Sequence, residues 1–250
     1  SAEMILDGLD RGYCEYDGEF VRQPRKDIRP RPEKSFRGRT YAAAVSSESA
    51  EIMAKLGFGM MVIMQNEWKK AAADIESFRD IAISVGHTPR PPVILTNVSC
   101  AESRDEADER AMRYLGAKWD SIDNHYHFSD GHLANVKGYE SYGKMAKTYS
   151  KLKDKEAREK MTRFYVNIQI VGTPDDCIQQ MAELQRLTGT DHVVCDFSYG
   201  GMPHEQGELN MRLFADRVMP TLQRDAAFQG SSTPAAEPLA KVSGDVFAPA

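Results

Sequence analysis

The sequence lacks any apolar run long enough to cross a bilayer. Its longest apolar stretch, at residues 58–64, falls far short of the roughly 20 residues that a membrane helix needs. The first residues are polar and acidic, which argues against a secretory signal peptide. We therefore expect no membrane span and predict a cytoplasmic protein.

Cysteine is also scarce. The four cysteines, Cys14, Cys100, Cys177 and Cys195, follow none of the spacings of metal or redox motifs. This pattern argues against a disulfide framework and is typical of reduced thiols in a cytoplasmic protein.

Positive charge is limited as well. The chain of 250 residues has a formal net charge of -5 and no basic patch with interleaved aromatic residues. Nucleic-acid-binding surfaces carry such a patch, so we do not expect a nucleic-acid partner. The mixed-sign run at residues 151–160 indicates a solvated helix instead. The 41% of hydrophobic residues suffices for a sizeable core, in one large domain or two small ones.

Strand patterns alternate with helix patterns along most of the chain. Strands are predicted at residues 39–45, 58–64, 92–98, 166–171 and 191–197, and helices at residues 48–56, 67–85, 103–115, 174–187 and 205–222. Ser103 with Glu106, and Thr173 with Pro174, are typical helix starts. The alternation predicts an α/β fold with a parallel sheet. These strand–helix units are too few to close an eight-stranded barrel, so they form either an open sheet or the second half of such a barrel.

Four segments fall outside this alternation. Residues 2–9 have helical spacing, and residues 16–20 favour the turn of a small hairpin. Residues 118–163 are predicted to be an inserted segment, partly helical and mobile. Residues 226–250 are rich in proline and small residues, so we expect a disordered tail after a domain at residues 1–225.

A serine-rich corner follows the first strand of the alternating series. Ser46, Ser47 and Ser49 lie at the start of a short helix, where backbone N–H groups and hydroxyls can bind an anion. An ordinary N-cap, with Glu48 or Glu51 completing a capping box, explains the same residues. Local sequence alone favours the cap.

The histidines do not indicate a metal site. His125 and His127, at i and i+2, are expected on one side of a strand, with His132 nearby, but no metal-ligand motif accompanies them. His192 and Cys195 are three residues apart on a predicted strand and face opposite sides, so they do not form a nucleophilic pair.

An ordered series of segments carries a resemblance to a known family. The segments are residues 166–178, 188–197 and 211–220, together with 16–20 and 29–32. They resemble the luciferase-like, flavin-dependent monooxygenases over residues 2–224. The resemblance implies a (β/α)₈ TIM barrel of which this chain covers roughly strands 5–8, with the segment at 118–163 as an inserted lid.

The resemblance also implies an activity. A family member binds reduced FMN, supplied by a flavin reductase, and uses O₂ to oxygenate a small organic substrate, as a homo- or heterodimer. The catalytic residues would lie in the N-terminal half of the barrel, which this sequence does not contain. The alternatives are a non-catalytic half-barrel binding or assembly module, and a reductase that uses F420 or FMN on the same fold.

Finally, the resemblance implies site residues. The FMN phosphate would bind at the serine corner, and the flavin ring would lie near Met64, although plain core packing explains this methionine equally well. A lid over the site would protect an oxygenated flavin from water. The phosphate corner comprises Val45, Ser46, Ser47 and Ser49, and the lid residues that would line the substrate pocket are His125, Tyr126 and His127.

Overall fold

The computed structural model describes residues 2–43, 47–136, 140–151 and 154–224. The predicted tail at 226–250, and Val45 and Ser46 of the serine corner, lie outside these ranges. The helices are α1 (Ala2–Arg11), α2 (Ser47–Lys55), α3 (Trp68–Ser84), α4 (Arg104–Tyr126), α5 (Glu140–Lys151), α6 (Lys155–Asn167), α7 (Pro174–Thr188), α8 (His204–Arg217) and α9 (Met219–Arg224). None of these helices combines the length and apolar content that crossing a bilayer requires.

The strands form two sheets. They are β1 (Tyr13–Asp17), β2 (Arg22–Asp27), β3 (Tyr41–Ala43), β4 (Gly59–Ile63), β5 (Val93–Cys100), β6 (Ile170–Gly172) and β7 (His192–Asp196). The first two strands pair antiparallel as the predicted hairpin, and Gly18 N–H donates to Val21 O at 3.0 Å in its turn. The other five strands form the predicted parallel sheet.

The long strand β5 organises the parallel sheet. It pairs with β4 through Val93 to Leu95 and with β7 through Val93 to Asn97. The short strand β6 pairs only with its last part, Val98 to Cys100. Spatial neighbours among β3, β4, β5 and β7 therefore follow chain order, and β6 is an addition at the carboxyl end of β5.

The register separates the parallel sheet into two faces, because successive side chains of a strand point to opposite sides. One face carries Met60, Ile94 and Val98, which are buried in the core with residues of α3 and α7. We call the other side the open face; it is formed by Ala43, Met61, Ile63, Leu95 and Val194. Ile63 and Val194 are 39% and 45% exposed, so this face is apolar and only partly covered.

Two helices have the features that the sequence predicts. The buried stripe of α3 contains Ala71, Ile75, Phe78 and Ala82, spaced three or four residues apart as on one helix face. Helix α7 begins with the predicted Thr173 cap, and Asp176 completes a capping box.

Other predictions are wrong at their boundaries. Helix α4 continues well past residue 115, so the predicted insertion at 118–163 starts inside a helix. Helix α6 covers the first part of the predicted strand at 166–171, because Asp154 caps it by accepting from Ala157 N–H at 2.8 Å and Val166 is buried in the core. The predicted last helix, 205–222, is divided at Val218 into α8 and α9.

The segment at 118–163 is partly helical, as predicted, and its part after residue 127 packs on the second half of α4. Phe128 and Tyr149 are buried, and the Trp119 ring lies 5.9 Å from that of Tyr149. Two bidentate ion pairs connect α6 to α4: Arg158 binds both carboxylate oxygens of Asp120, and Arg163 binds both of Asp108.

Candidate functional site

The carboxyl ends of the parallel strands meet at one edge of the sheet, where α/β proteins place their ligand sites. Here β4 ends at Ile63, β5 at Cys100 and β7 at Asp196. The residues at this edge are therefore the first candidates for a site.

A polar cluster lies at this edge around Asn97, which is only 1% exposed. Its Nδ2 donates to Asp196 Oδ2 at 2.8 Å, and its Oδ1 accepts from Lys118 Nζ at 3.3 Å and from the Tyr165 hydroxyl at 3.2 Å. Lys118 Nζ also lies 3.5 Å from Asp196 Oδ2. We call Asn97, Lys118, Tyr165 and Asp196 the Asn97 cluster.

Electrostatics fix the hydrogen-bond directions in the cluster. Burial, assisted by the charge of Asp196, raises the pKa of Tyr165 to about 12. Tyr165 therefore keeps its proton at neutral pH and donates to Asn97. The Asn97 oxygen consequently faces the two donors, Lys118 and Tyr165, and its nitrogen faces the carboxylate. The Trp119 ring, 4.9 Å from that of Tyr165, restricts the position of the tyrosine.

The register of the sheet explains why these residues meet. Asn97 and Asp196 are partners across β5 and β7, so their side chains share a face. The preceding same-face pair is Leu95 and Val194, which belongs to the open face. The Asn97 cluster thus forms a polar border to an apolar surface.

Two further amides hold the end of β5. Gln169 accepts from Asn97 N–H at 2.8 Å and donates to Met64 O at 3.1 Å, which joins the ends of β4 and β5. Asn210, completely buried, accepts from Cys100 N–H at 2.7 Å and donates to Val98 O at 2.7 Å. These side chains satisfy backbone groups where strand pairing stops, and so make the carboxyl end of β5 rigid.

The serine corner is only partly described. Val45, Ser46 and the side chain of Ser47 lie outside the described atoms, while Ser49 is exposed in the first turn of α2. The phosphate role of this corner stays a prediction. A cavity of about 510 Å³ lies beside it between α2, β4 and α3.

Met64 is 1% exposed and belongs to the core that α3 and α7 cover. Packing alone accounts for its side chain, while its carbonyl holds Gln169. Its contact with a flavin ring stays a prediction that the structure gives no further reason to favour.

The three lid residues lie at the end of α4, not on a strand as their spacing suggested. His125 and Tyr126 form the last turn of α4, and His127 follows with a left-handed φ of 52°. All three are exposed, and their role in a substrate pocket stays a prediction. Helix capping by the αL residue, with His127 N–H donating to Asp123 O at 2.7 Å, explains this conformation. The described residues contain no group of three or more side chains suited to hold a metal.

The loop after β7 also has a structural explanation. Tyr199 is buried and its hydroxyl donates to Val98 O at 3.2 Å. A Cβ at Gly200 would lie 1.8 Å from Tyr114 O, so this glycine permits close contact between the loop and α4. Cys195 packs against the core, where burial raises its pKa to about 12, whereas His192 is exposed. The prediction that these two residues face opposite sides is confirmed.

Sequence reasoning missed the Asn97 cluster. A signal was present, because Thr96 and Asn97 interrupt an otherwise apolar strand, and buried polar side chains need partners. The partners could not be named from the sequence, since Lys118, Tyr165 and Asp196 come from three later elements.

Comparison with known proteins shows the family to which the chain belongs. The model of the family described as luciferase-like monooxygenase matches residues 1–191. The chain belongs to this family. The alkanal monooxygenase alpha chain of Photobacterium leiognathi is 27% identical over 224 residues, which are 88% of this chain and 62% of that protein. The corresponding protein of Photorhabdus luminescens is 25% identical over 225 residues, which are 88% and 61% of the two chains. The chain thus spans about 60% of the length of these luciferase-like relatives.

Solved structures of luciferase-like proteins share the fold. The oxygenating constituent of 3,6-diketocamphane monooxygenase from Pseudomonas putida, in complex with FMN, aligns with a TM-score of 0.56 and 17% identity over 88% of this chain and 60% of that one. The coenzyme F420-dependent tetrahydromethanopterin reductase of Methanopyrus kandleri aligns with a TM-score of 0.55 and 19% identity over 88% and 61%.

Proposed function

We propose that this chain forms the C-terminal part of an FMN-dependent monooxygenase that uses reduced flavin and O₂ to oxygenate a small organic substrate. The observation that carries the proposal is its membership of the luciferase-like family over residues 1–191. The Asn97 cluster supports it, because a rigid polar site at the carboxyl end of parallel strands is where enzymes of this architecture act.

We also propose that β3, β4, β5 and β7 correspond to strands 5–8 of a TIM barrel. Their neighbours in space follow chain order, as the strands of such a barrel do. Within the described residues, β3 and β7 each pair on one side only, which leaves two edges where other strands could continue the barrel. The open face would then point into the barrel.

The described residues suit a flavin in two respects. The open face offers an apolar surface for a flat ring, through Met61, Ile63, Leu95 and Val194. The Asn97 cluster offers hydrogen-bond donors beside it. For the phosphate, we propose the serine corner, with Val45, Ser46, Ser47 and Ser49. When bound, reduced FMN supplies the electrons that activate O₂.

The residues of this chain would bind and orient rather than transfer electrons. Lys118 offers a cation at the border of the open face, and Asn97 holds it in place. Helices α4 and α6 cover the Asn97 side of the edge, and Tyr165 is 9% exposed, so water is partly excluded there. We propose that the segment carrying His125, Tyr126 and His127 completes this cover when a substrate is bound.

The experiment is a titration of the chain with FMN, followed by anaerobic reduction and addition of O₂. We expect saturable FMN binding and, when an alkanal is present as the organic substrate, an oxygenated product that depends on the chain, because free reduced FMN consumes O₂ without any protein. Ser46→Ala combined with Ser49→Ala should weaken FMN binding by about tenfold, because two hydroxyl donors to phosphate are lost. Ser84→Ala, at the far end of α3, is the control. Absence of FMN binding would contradict the proposal.

Two other functions remain testable in the same assay. A reductase is favoured by the likeness to the F420-dependent enzyme, and without O₂ it would transfer the electrons of its reduced cofactor to an added organic acceptor. A binding or assembly module is favoured by the partly exposed apolar open face, and it would bind FMN without forming the oxygenated product. We further propose a flavin reductase as the source of reduced FMN, and assembly as a homo- or heterodimer.

A further inference from the structure

One donor of the Asn97 cluster, the Lys118 ammonium, is not fully used by contacts within the cluster. An ammonium group has three N–H donors; that of Lys118 donates to Asn97 Oδ1 at 3.3 Å and forms an ion pair with Asp196 Oδ2 at 3.5 Å. The Lys118 side chain is 26% exposed, so its third donor is accessible at the border of the open face. Asp196 balances the positive charge of Lys118, so the preferred acceptor for the third N–H donor is neutral rather than anionic.

Its surroundings restrict the orientation of the ammonium. Asn97 is held by both its side-chain nitrogen and its backbone N–H, which donates to Gln169 at 2.8 Å. Tyr165 donates to the same oxygen as Lys118, so the amide cannot turn over without losing both donors. Lys118 Nζ also lies 5.9 Å from the centre of the Tyr199 ring, which adds a favourable cation–π contact.

We propose that Lys118 binds a carbonyl oxygen of a ligand that lies on the open face, and that Asn97 and Asp196 position it. A flat or chain-like apolar body would cover Leu95 and Val194, while its carbonyl oxygen would accept from Nζ. This inference deepens the proposed function and rests on it. The carbonyl belongs either to the flavin ring or to the organic substrate, and binding measurements separate these two sources.

The test compares the chain with Lys118→Met in two arms. The first arm measures FMN affinity by fluorescence. The second measures binding of 4-phenyl-2-butanone and of butylbenzene by NMR, since these probes differ only by a carbonyl in place of a methylene. Loss of a hydrogen bond from a charged donor should weaken the affected binding by about tenfold. Weaker FMN binding assigns the carbonyl to the flavin, and loss of the preference for the ketone assigns it to the substrate.

Further variants separate this role from a structural one. Lys160→Met, on the exposed face of α6, is the matched control and should change neither arm. Lys118→Arg keeps a cationic donor and should restore most of the affinity. Tyr165→Phe keeps the ring beside Trp119 but removes one donor to Asn97, and should weaken the same arm by about threefold.

Unchanged binding in both arms would overturn the inference, and so would binding of neither FMN nor the ketone by the unsubstituted chain. If the unsubstituted chain binds the ketone but not FMN, the proposed function is contradicted and the ketone arm alone decides the role of Lys118.

Discussion

At the residue scale, Asn97 is explained by its tertiary contacts and not by the strand in which it lies. Asn97 looks unfavourable in a buried strand until Lys118, Tyr165 and Asp196 are placed around it. The sequence could have indicated that Asn97 needs partners, but not which ones, because Asn97 and Asp196 meet through the register of two strands. For Met64, the resemblance implied a flavin contact that stays a prediction, and its side chain lies in the core.

Gly200 and Gly201 form a matched pair at this scale. Both have positive φ, 60° and 74°, but only at Gly200 would a Cβ meet another backbone, at 1.8 Å from Tyr114 O. Gly201→Ala should lower the free energy of unfolding by about 1 kcal/mol, the cost of the left-handed conformation. Gly200→Ala should lower it by about 3 kcal/mol or more, because the loop must also move away from α4. Urea unfolding measures both, and equal losses would show that the contact with Tyr114 is unimportant.

At the scale of the element, caps and stops were predictable and tertiary contacts were not. The Thr173 cap and the apolar stripe of α3 follow from local sequence. The charged run at 151–160 predicted a helix, which α6 confirms, but its extent to Asn167 was missed because its apolar end resembles a strand. That end stays helical since Tyr165 and Val166 are buried on the core. Local propensity is a weak prior where burial decides.

The start of α7 gives a prediction about pH. Asp176 accepts from Thr173 N–H at 3.1 Å and binds Arg104 at 2.7 and 2.8 Å, and the Arg104 guanidinium, assisted by Thr173, holds the pKa of this carboxyl well below its ordinary range. A lowered pKa in the folded state stabilises the protein above the ordinary value of about 3.9, and this stabilisation is lost as the pH falls below it. Asp176→Asn should therefore cost about 1 kcal/mol at pH 7.

The pH dependence identifies the cause. The difference in unfolding free energy between the two proteins should shrink as the pH falls below about 4, where the unfolded carboxyl binds a proton. Urea unfolding at several pH values measures it, and Asp175→Asn, at the exposed neighbouring position, is the control. A difference that is constant with pH would show that packing, not charge, is responsible.

At the scale of the whole molecule, the sheet is covered unevenly. Helices α3 and α7 bury one face, whereas the open face leaves Ile63 and Val194 at 39% and 45% exposure. The sequence predicted alternation and parallel pairing, and therefore the class of the fold. It could not show which face would be covered, because strands with apolar residues on both sides give no such signal.

The exposed apolar face predicts self-association of the isolated chain. Burial of apolar surface stabilises association by about 25 cal/mol for each Å² removed from water, so in the absence of a ligand we expect two copies to cover their open faces mutually. Ile63→Lys combined with Val194→Lys should shift the chain to monomers in sedimentation velocity, because charged groups on that face oppose its burial. The control is Ile83→Lys with Leu209→Lys, at positions 56% and 66% exposed on α3 and α8. If the control dissociates the copies and the open-face variant does not, the contact lies on the helical surface, and the open face is then accessible to a flavin in the isolated chain.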